Sequence, residues 1–218
     1  MVVFPQFFPL KQSDLKGWAQ QLQTWEEMPG KWMKYFERVA GERQLCRVEN
    51  FMDYHKGLAD LVRDPRVDNI LEELMGEKAV LFKEKLNFKF PKGQGFTPHQ
   101  DAPAFASFGQ KYHITMMVAV DDCTPENGCL QMALGWKHKL GTLAQEKDGT
   151  VSRALCDQME WTVTPSKAGD VIFFDSYIPH KSSDNLSAAA RRALYITYNK
   201  ASEGDMRAAY YAHKREVF

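Results

Sequence analysis

The chain has 218 residues and a mass of 25.0 kDa, with 44% apolar residues including 14 Phe, 8 Tyr and 5 Trp, enough to fill one core without disulfide or metal staples. Lys plus Arg balance Asp plus Glu at 28 each, so nothing in the charge points to nucleic acid or an anionic membrane surface, and neither partner is expected. Cys46, Cys123, Cys129 and Cys156 lack C-x-x-C spacing, no basic segment leads into an apolar leader, and no apolar run nears the roughly 20 residues of a membrane span. The C-terminal Glu216-Val217-Phe218 is no retention or peroxisomal address, and a soluble protein of the reducing cytoplasm is the expectation.

Ser13 stands where it would cap a first helix, in which Leu15, Trp18, Ala19, Leu22 and Trp25 recur at helical spacing before Pro29-Gly30. A second helix is predicted from about Asn50, carrying Leu58, Leu61 and Val62, and it ends at Asp64-Pro65 because a residue before proline avoids the α region. A third follows Asp68 with Ile70, Leu71, Leu74 and Met75, and Gly76 sits where a left-handed cap belongs. The period then changes to two: Leu81, Lys83, Lys85, Asn87 and Lys89 alternate with Phe82, Glu84, Leu86, Phe88 and Phe90.

After the turn 91–95, strands are predicted from His113 to Asp122, Cys129 to Leu134, Val171 to Asp175 and Arg192 to Tyr198, with a helical tail beyond. Helices first and strands afterwards, with no β-α alternation, predict a mainly β antiparallel barrel or jelly roll with helices packed outside. One domain over 1–218 is expected: a mostly helical flank at 1–78, a barrel core at 79–200 and a helical tail at 201–218. No internal repeat or low-complexity linker interrupts it.

The chemistry is concentrated in Pro98-His99-Gln100-Asp101 and in Pro179-His180, followed by Arg191. Residues at i and i+2 of a strand share a face, so His99 and Asp101 can meet a third ligand, and His180 is the candidate. Two imidazoles and a carboxylate leave open positions on a metal, the donor set of non-haem Fe(II) oxygenases. Catalytic zinc uses the same donors for hydrolysis. Arg191 favours iron, because a chelating α-keto acid has a distal carboxylate that needs a fixed planar donor. Strand alternation sends Arg191 and Arg192 to opposite faces, so one of them enters the barrel.

These residues resemble the phytanoyl-CoA dioxygenase family of Fe(II)- and 2-oxoglutarate-dependent oxygenases over nearly the whole chain. The segment from Gly76 to Lys89, Pro98 to Asp101, Val118 to Asp122 and Glu126-Asn127-Gly128-Cys129-Leu130 looks like its strand, iron motif and hairpin. His180, Ser182, Asn185 and Arg191 match its spacing of ligand histidine, serine, asparagine and 2-oxoglutarate arginine. That register selects Arg191 over Arg192. The resemblance implies a double-stranded β-helix, iron on His99, Asp101 and His180, and 2-oxoglutarate on Arg191, Ser182 and Lys83. It further implies hydroxylation by O2 coupled to decarboxylation of 2-oxoglutarate to succinate and CO2.

Two departures bear on the substrate: 133–138 reads Ala-Leu-Gly-Trp-Lys-His where relatives often carry Pro-Gly-Ser-His, and the N-terminal part is short. Asp101 is intact, whereas halogenating relatives carry a small residue there, so hydroxylation is expected. The period-two pattern alone leaves Lys83, Lys85 and Asn87 either solvated or facing the interior. In the resembling enzymes this strand lines the pocket, which implies that Lys85 and Asn87, with Phe105 as a candidate wall residue, take a small anionic or zwitterionic metabolite such as an aminophosphonate or amino acid. An acyl-CoA hydroxylase and a metal-binding pseudo-enzyme without turnover are the alternatives, and monomer or homodimer is left open.

Overall fold

The computed structural model describes residues 1–8, 12–136 and 141–217, with the side chains of Gln12 and Ser13 also outside it. The cap expected of Ser13, the loop residues Lys137 and His138, and Phe218 lie outside the described residues. In chain order, β1 (Val2–Phe4) and α1 (Gln12–Thr24) precede a hairpin of β2 (Met33–Val39) and β3 (Glu42–Glu49). Helices α2 (Lys56–Val62) and α3 (Pro65–Met75) follow, then β4 (Ala79–Lys89), β5 (Phe96–His99), a short α4 (Ala102–Phe105), β6 (His113–Ala119) and β7 (Leu130–Met132). The chain closes with α5 (Arg153–Cys156), β8 (Thr162–Thr164), β9 (Val171–Asp175), β10 (His180–Ser182), β11 (Arg191–Lys200) and α6 (Arg207–Val217).

The strands form two antiparallel sheets, ordered β1-β9-β6-β11-β4-β3-β2 and β5-β10-β7-β8, the jelly roll that the strand pattern predicts. The flank expected to be mostly helical also carries the β2–β3 hairpin. Its period-two pattern is broken by a bulge between Tyr35 and Phe36, and its turn uses Ala40 and Gly41 at φ 50 and 90, the left-handed pair of a tight hairpin without the usual Asn-Gly signal. Two helix starts also move. The second begins at Lys56, where His55 Nδ1 accepts from the Leu58 amide at 3.1 Å. The third begins at Pro65 with Asp64 accepting from the Arg66 amide, while Gly76 takes the expected left-handed cap at φ 75.

Leu86 and Phe88 of β4 point to the helix side and share one core cluster with Leu15, Leu22, Leu58, Val67 and Leu71. Each such side chain contributes about 1.5–3 kcal/mol by leaving water. The opposite face of β4 carries Lys83, Lys85, Asn87 and Lys89. Phe82 departs from the expected pattern. Lys83 pairs with Thr197 but Leu81 with Tyr198, so Phe82 is the extra residue of a β-bulge, and it packs with Phe105, His113 and Tyr210 instead of the helix-side core.

Where β3 leaves β4, helix α6 covers the open strand edge. Tyr211 Oη accepts from the Glu84 amide at 3.0 Å and donates to the Glu84 carbonyl at 2.9 Å, serving backbone groups that a neighbouring strand would otherwise satisfy. Among the described residues, no helix is long and apolar enough to cross a membrane.

Candidate active site

In the smaller sheet β10 runs beside β5 with His180 opposite His99. Asp101 lies past the end of β5 in helical conformation (φ −74, ψ −33) at the entry to α4. The turn, not the strand period, therefore brings its carboxylate back to His99. Gln100 anchors that turn: its amide nitrogen donates to the Tyr177 carbonyl at 2.6 Å, and its oxygen accepts from the Leu143 amide at 2.9 Å.

Both imidazoles are oriented by the carbonyl two residues earlier. His99 Nδ1 meets Thr97 O at 2.7 Å and His180 Nδ1 meets Ile178 O at 2.9 Å. A carbonyl only accepts, so Nδ1 carries the proton and Nε2 is left with its lone pair. The two Nε2 atoms stand 4.0 and 3.9 Å from the Asp101 oxygens, and one donor atom from each of the three residues lies within 4.8 Å of the others. Burial and the neighbouring His180 hold His99 down at about 3. Burial pushes Asp101 up, but His180, Lys85, Lys83 and His99 outweigh it and hold the carboxyl below the usual range. A neutral imidazole and an ionised carboxylate are the states that bind a divalent cation, and two nitrogens with one oxygen suit Fe(II).

The cavity against these three side chains is also lined by Lys85, Asn87, Phe96, Ser182 and Tyr195. Arg191, on β11, is 2% exposed. Its Nη2 donates to Gly128 O at 2.7 Å, while its buried Nε has no hydrogen-bond partner among the described residues. Lys89 lies across the ladder from Arg191 and donates to Ser182 Oγ at 2.8 Å, to Gly128 O at 3.3 Å and to Ser183 O. Ser182 Oγ accepts from the Phe96 amide as well, at 3.3 Å. With two donors directed at its oxygen, Ser182 has its own O–H to give, and a spare hydroxyl beside an unpaired guanidinium N–H is what a carboxylate requires. Gly128 keeps this corner open: at φ 73 its added Cβ would collide with the Ser183 carbonyl.

The expected residues are thus gathered unequally. Lys85, Asn87 and Ser182 meet His99, Asp101 and His180, and Arg191 is tied to Ser182 through the Gly128 carbonyl and Lys89. Lys83 is six residues from Lys89 along β4, about 20 Å at 3.3 Å per residue, and its Nζ lies 3.4 Å from Tyr210 Oη and 4.6 Å from the Phe105 ring centroid. Phe105 packs beneath it with Phe82 and His113 and is not in the cavity wall. Lys89, absent from the expected site, stands where Lys83 was expected, and simple continuation of the Lys83-Lys85-Asn87 period would have reached it. Arg192 turns outward to Asp121 at 2.7 and 2.9 Å.

Residues 1–193 match the profile of the phytanoyl-CoA dioxygenase (PhyH) family. A 2-aminoethylphosphonate dioxygenase from Uncultured bacterium HF130_AEPn_1 is 56% identical over 207 residues, 94% of this chain and 79% of that protein. A methylphosphonate hydroxylase from Gimesia maris is 40% identical over 94% of this chain and 78% of its own length. Among solved structures, EctD from S. alaskensis with 2-oxoglutarate and 5-hydroxyectoine superposes with a TM-score of 0.79 at 20% identity, over 93% of this chain and 72% of that one. The latter likeness is one of fold.

Proposed function

The chain belongs to the phytanoyl-CoA dioxygenase family and is an Fe(II)- and 2-oxoglutarate-dependent dioxygenase, and from that premise we propose that it hydroxylates a small aminoalkylphosphonate, 2-aminoethylphosphonate foremost, next to or near the charged group. The observation that carries this reading is the row of Lys85 and Asn87 in the wall facing His99, Asp101 and His180, in a chain whose similar relatives are named for two phosphonates. A charged interior suits a phosphonate and disfavours an acyl chain, which would leave buried lysines unpaired.

When bound, iron and 2-oxoglutarate supply the oxidising power: O2 converts 2-oxoglutarate to succinate and CO2 and leaves one oxygen atom in a substrate C–H bond. His99, Asp101 and His180 hold the metal, each imidazole through Nε2. Arg191 Nε and the Ser182 hydroxyl take the distal carboxylate of 2-oxoglutarate, and Lys89 orients Ser182. Lys85 and Asn87 hold the substrate. Lys83 acts from behind, where its charge helps keep Asp101 ionised. The deciding experiment measures succinate release with 2-aminoethylphosphonate, methylphosphonate, amino acids, ectoine and fatty acyl-CoAs. Stimulation is expected with the first; a response confined to acyl-CoAs would reject the substrate.

A further inference from the structure

On β3, Leu45 and Val48 join the core beneath the helices, whereas Arg47 sits directly opposite Asn87 of β4, itself opposite Ala193 of β11. Paired residues of adjacent strands share a face, so Arg47 belongs to the inner side, with Glu49 opposite Lys85 one step along. A cavity of about 150 Å³ opens there, walled by Arg47, Asn87, Lys89, Gly95 and Phe96 and rimmed by Glu37. It shares Asn87 and Phe96 with the cavity that holds His99, Asp101 and His180. Its volume is several times the share of one water molecule.

Several of the groups around it are paired with one another. Arg47 Nη1 donates to Glu49 Oε1 at 3.2 Å, and the second oxygen of Glu49 takes Lys214 at 2.7 Å. Glu37 accepts from the Gln94 amide at 3.0 Å. The guanidinium carbon lies 5.6 and 5.7 Å from the centroids of the Tyr35 and Phe96 rings, which restrain it. Arg47 Nε and Asn87 Oδ1 are both buried and have no hydrogen-bond partner among the described residues. An unpaired buried donor is costly unless something fills it. A guanidinium edge fits the oxygens of a tetrahedral anion, and an adjacent amide oxygen fits an ammonium group.

We propose that Arg47 is a specificity-determining residue, binding the phosphonate of the substrate in this second cavity while Asn87 Oδ1 accepts from its ammonium group. This rests on the phosphonate reading above and adds an anion contact beyond those of Arg191 and Ser182, with Lys89 lining the cavity as well. Lys85 lines the adjoining cavity, next to the shared Asn87 and Phe96.

The test is anaerobic titration of the Fe(II)- and 2-oxoglutarate-loaded protein with 2-aminoethylphosphonate and, in parallel, inorganic phosphate, for wild type, Arg47→Gln and Arg47→Lys. Arg47→Gln should weaken phosphonate binding by roughly 10- to 100-fold, the range of one charged hydrogen bond, with 2-oxoglutarate affinity, read from its visible band, changed less than twofold. Arg47→Lys, which keeps a cation for Glu49 but lacks Nε, should fall between and guards against a folding defect. Phosphonate binding within threefold of wild type in Arg47→Gln, or equal loss of both ligands, overturns the proposal and leaves the functional reading intact. Phosphate binding that needs Arg47 in a protein that ignores 2-aminoethylphosphonate keeps the anion site and rejects the substrate. Wild type binding neither rejects both.

Discussion

On the helix side of β4, Leu86 and Phe88 are buried in a continuous apolar cluster, and the one carboxylate in the strand, Glu84, is met by Arg207 at 2.7 Å and by the Met52 amide at 3.1 Å. On the inner side Asn87 and Lys89 are as deeply buried, yet Asn87 Oδ1, Arg47 Nε and Arg191 Nε are left without partners among the described residues. Burial is common to both faces, so burial does not mark the site. Between these two faces the difference is polarity left unsatisfied on the inner one, where each such group is costly in the absence of a ligand.

That contrast is broken most completely by His180→Ala, which should abolish the visible band of the Fe(II)–2-oxoglutarate chelate and all turnover while the thermal midpoint stays near wild type. Leu86→Ala should do the reverse, costing about 2–5 kcal/mol of stability with the band retained; stoichiometric zinc and no band in the wild type would sink the metal assignment. Next comes Arg191→Ala. Losing a buried charge-assisted pair should raise the KM for 2-oxoglutarate by about 2–5 kcal/mol in free-energy terms, whereas Arg192→Ala, which removes only the outward pair with Asp121, should change it far less. The opposite ranking would show that β11 faces the other way.

Glu49 tests the inner face through pH. Burial pushes its carboxyl up, but Arg47, Lys214 and Lys83 together hold it at about 2 against an ordinary 4.5. The unfolded chain therefore takes up the proton first. Its contribution is fully present above about 4.5 and is lost as pH falls toward 2, on the order of 3 kcal/mol. Glu49→Gln should flatten the acid limb of the thermal midpoint in that window, and an unchanged limb would contradict the ion pairs. The smallest effect is expected from Lys85→Ala, which should weaken substrate-stimulated succinate release by about 1.5–3 kcal/mol. Burial, with Lys83 and Arg47 nearby, brings Lys85 down to about 7; its charge is lost as pH rises through that value. The penalty of the substitution should shrink on the alkaline side, and a penalty constant from pH 6 to 9 would argue against a direct contact.

Metal donors were legible because a metal demands fixed residue types at a few positions: His99, Asp101 and His180 could be named from spacing, whereas the choice of Arg191 over Arg192 needed the register of the family it resembles. The jelly roll was legible from helices preceding period-two strands. Other features were hidden by long-range pairing. Arg47 reads as one charge among several in a hairpin whose bulge breaks its period, and only its register with Asn87 turns it inward. Phe82 was misassigned for the same reason, since a bulge leaves no local trace. Helix starts at His55 and Asp64 depended on side-chain caps chosen by tertiary context.

The bulge at Phe82 divides β4 into two segments of opposite phase. Before it, Ala79 and Leu81 pack toward the helices; after it, residues of the same odd parity, from Lys83 to Lys89, face the interior. A one-residue deletion ahead of Lys83 could be absorbed by erasing the bulge, with the lysines still directed inward. The same deletion between Lys83 and Lys89 has no such reserve and would turn part of that charged row into the helix layer. The strand is thus tolerant of length change in its first third and intolerant in the remainder, a boundary set by one unpaired residue.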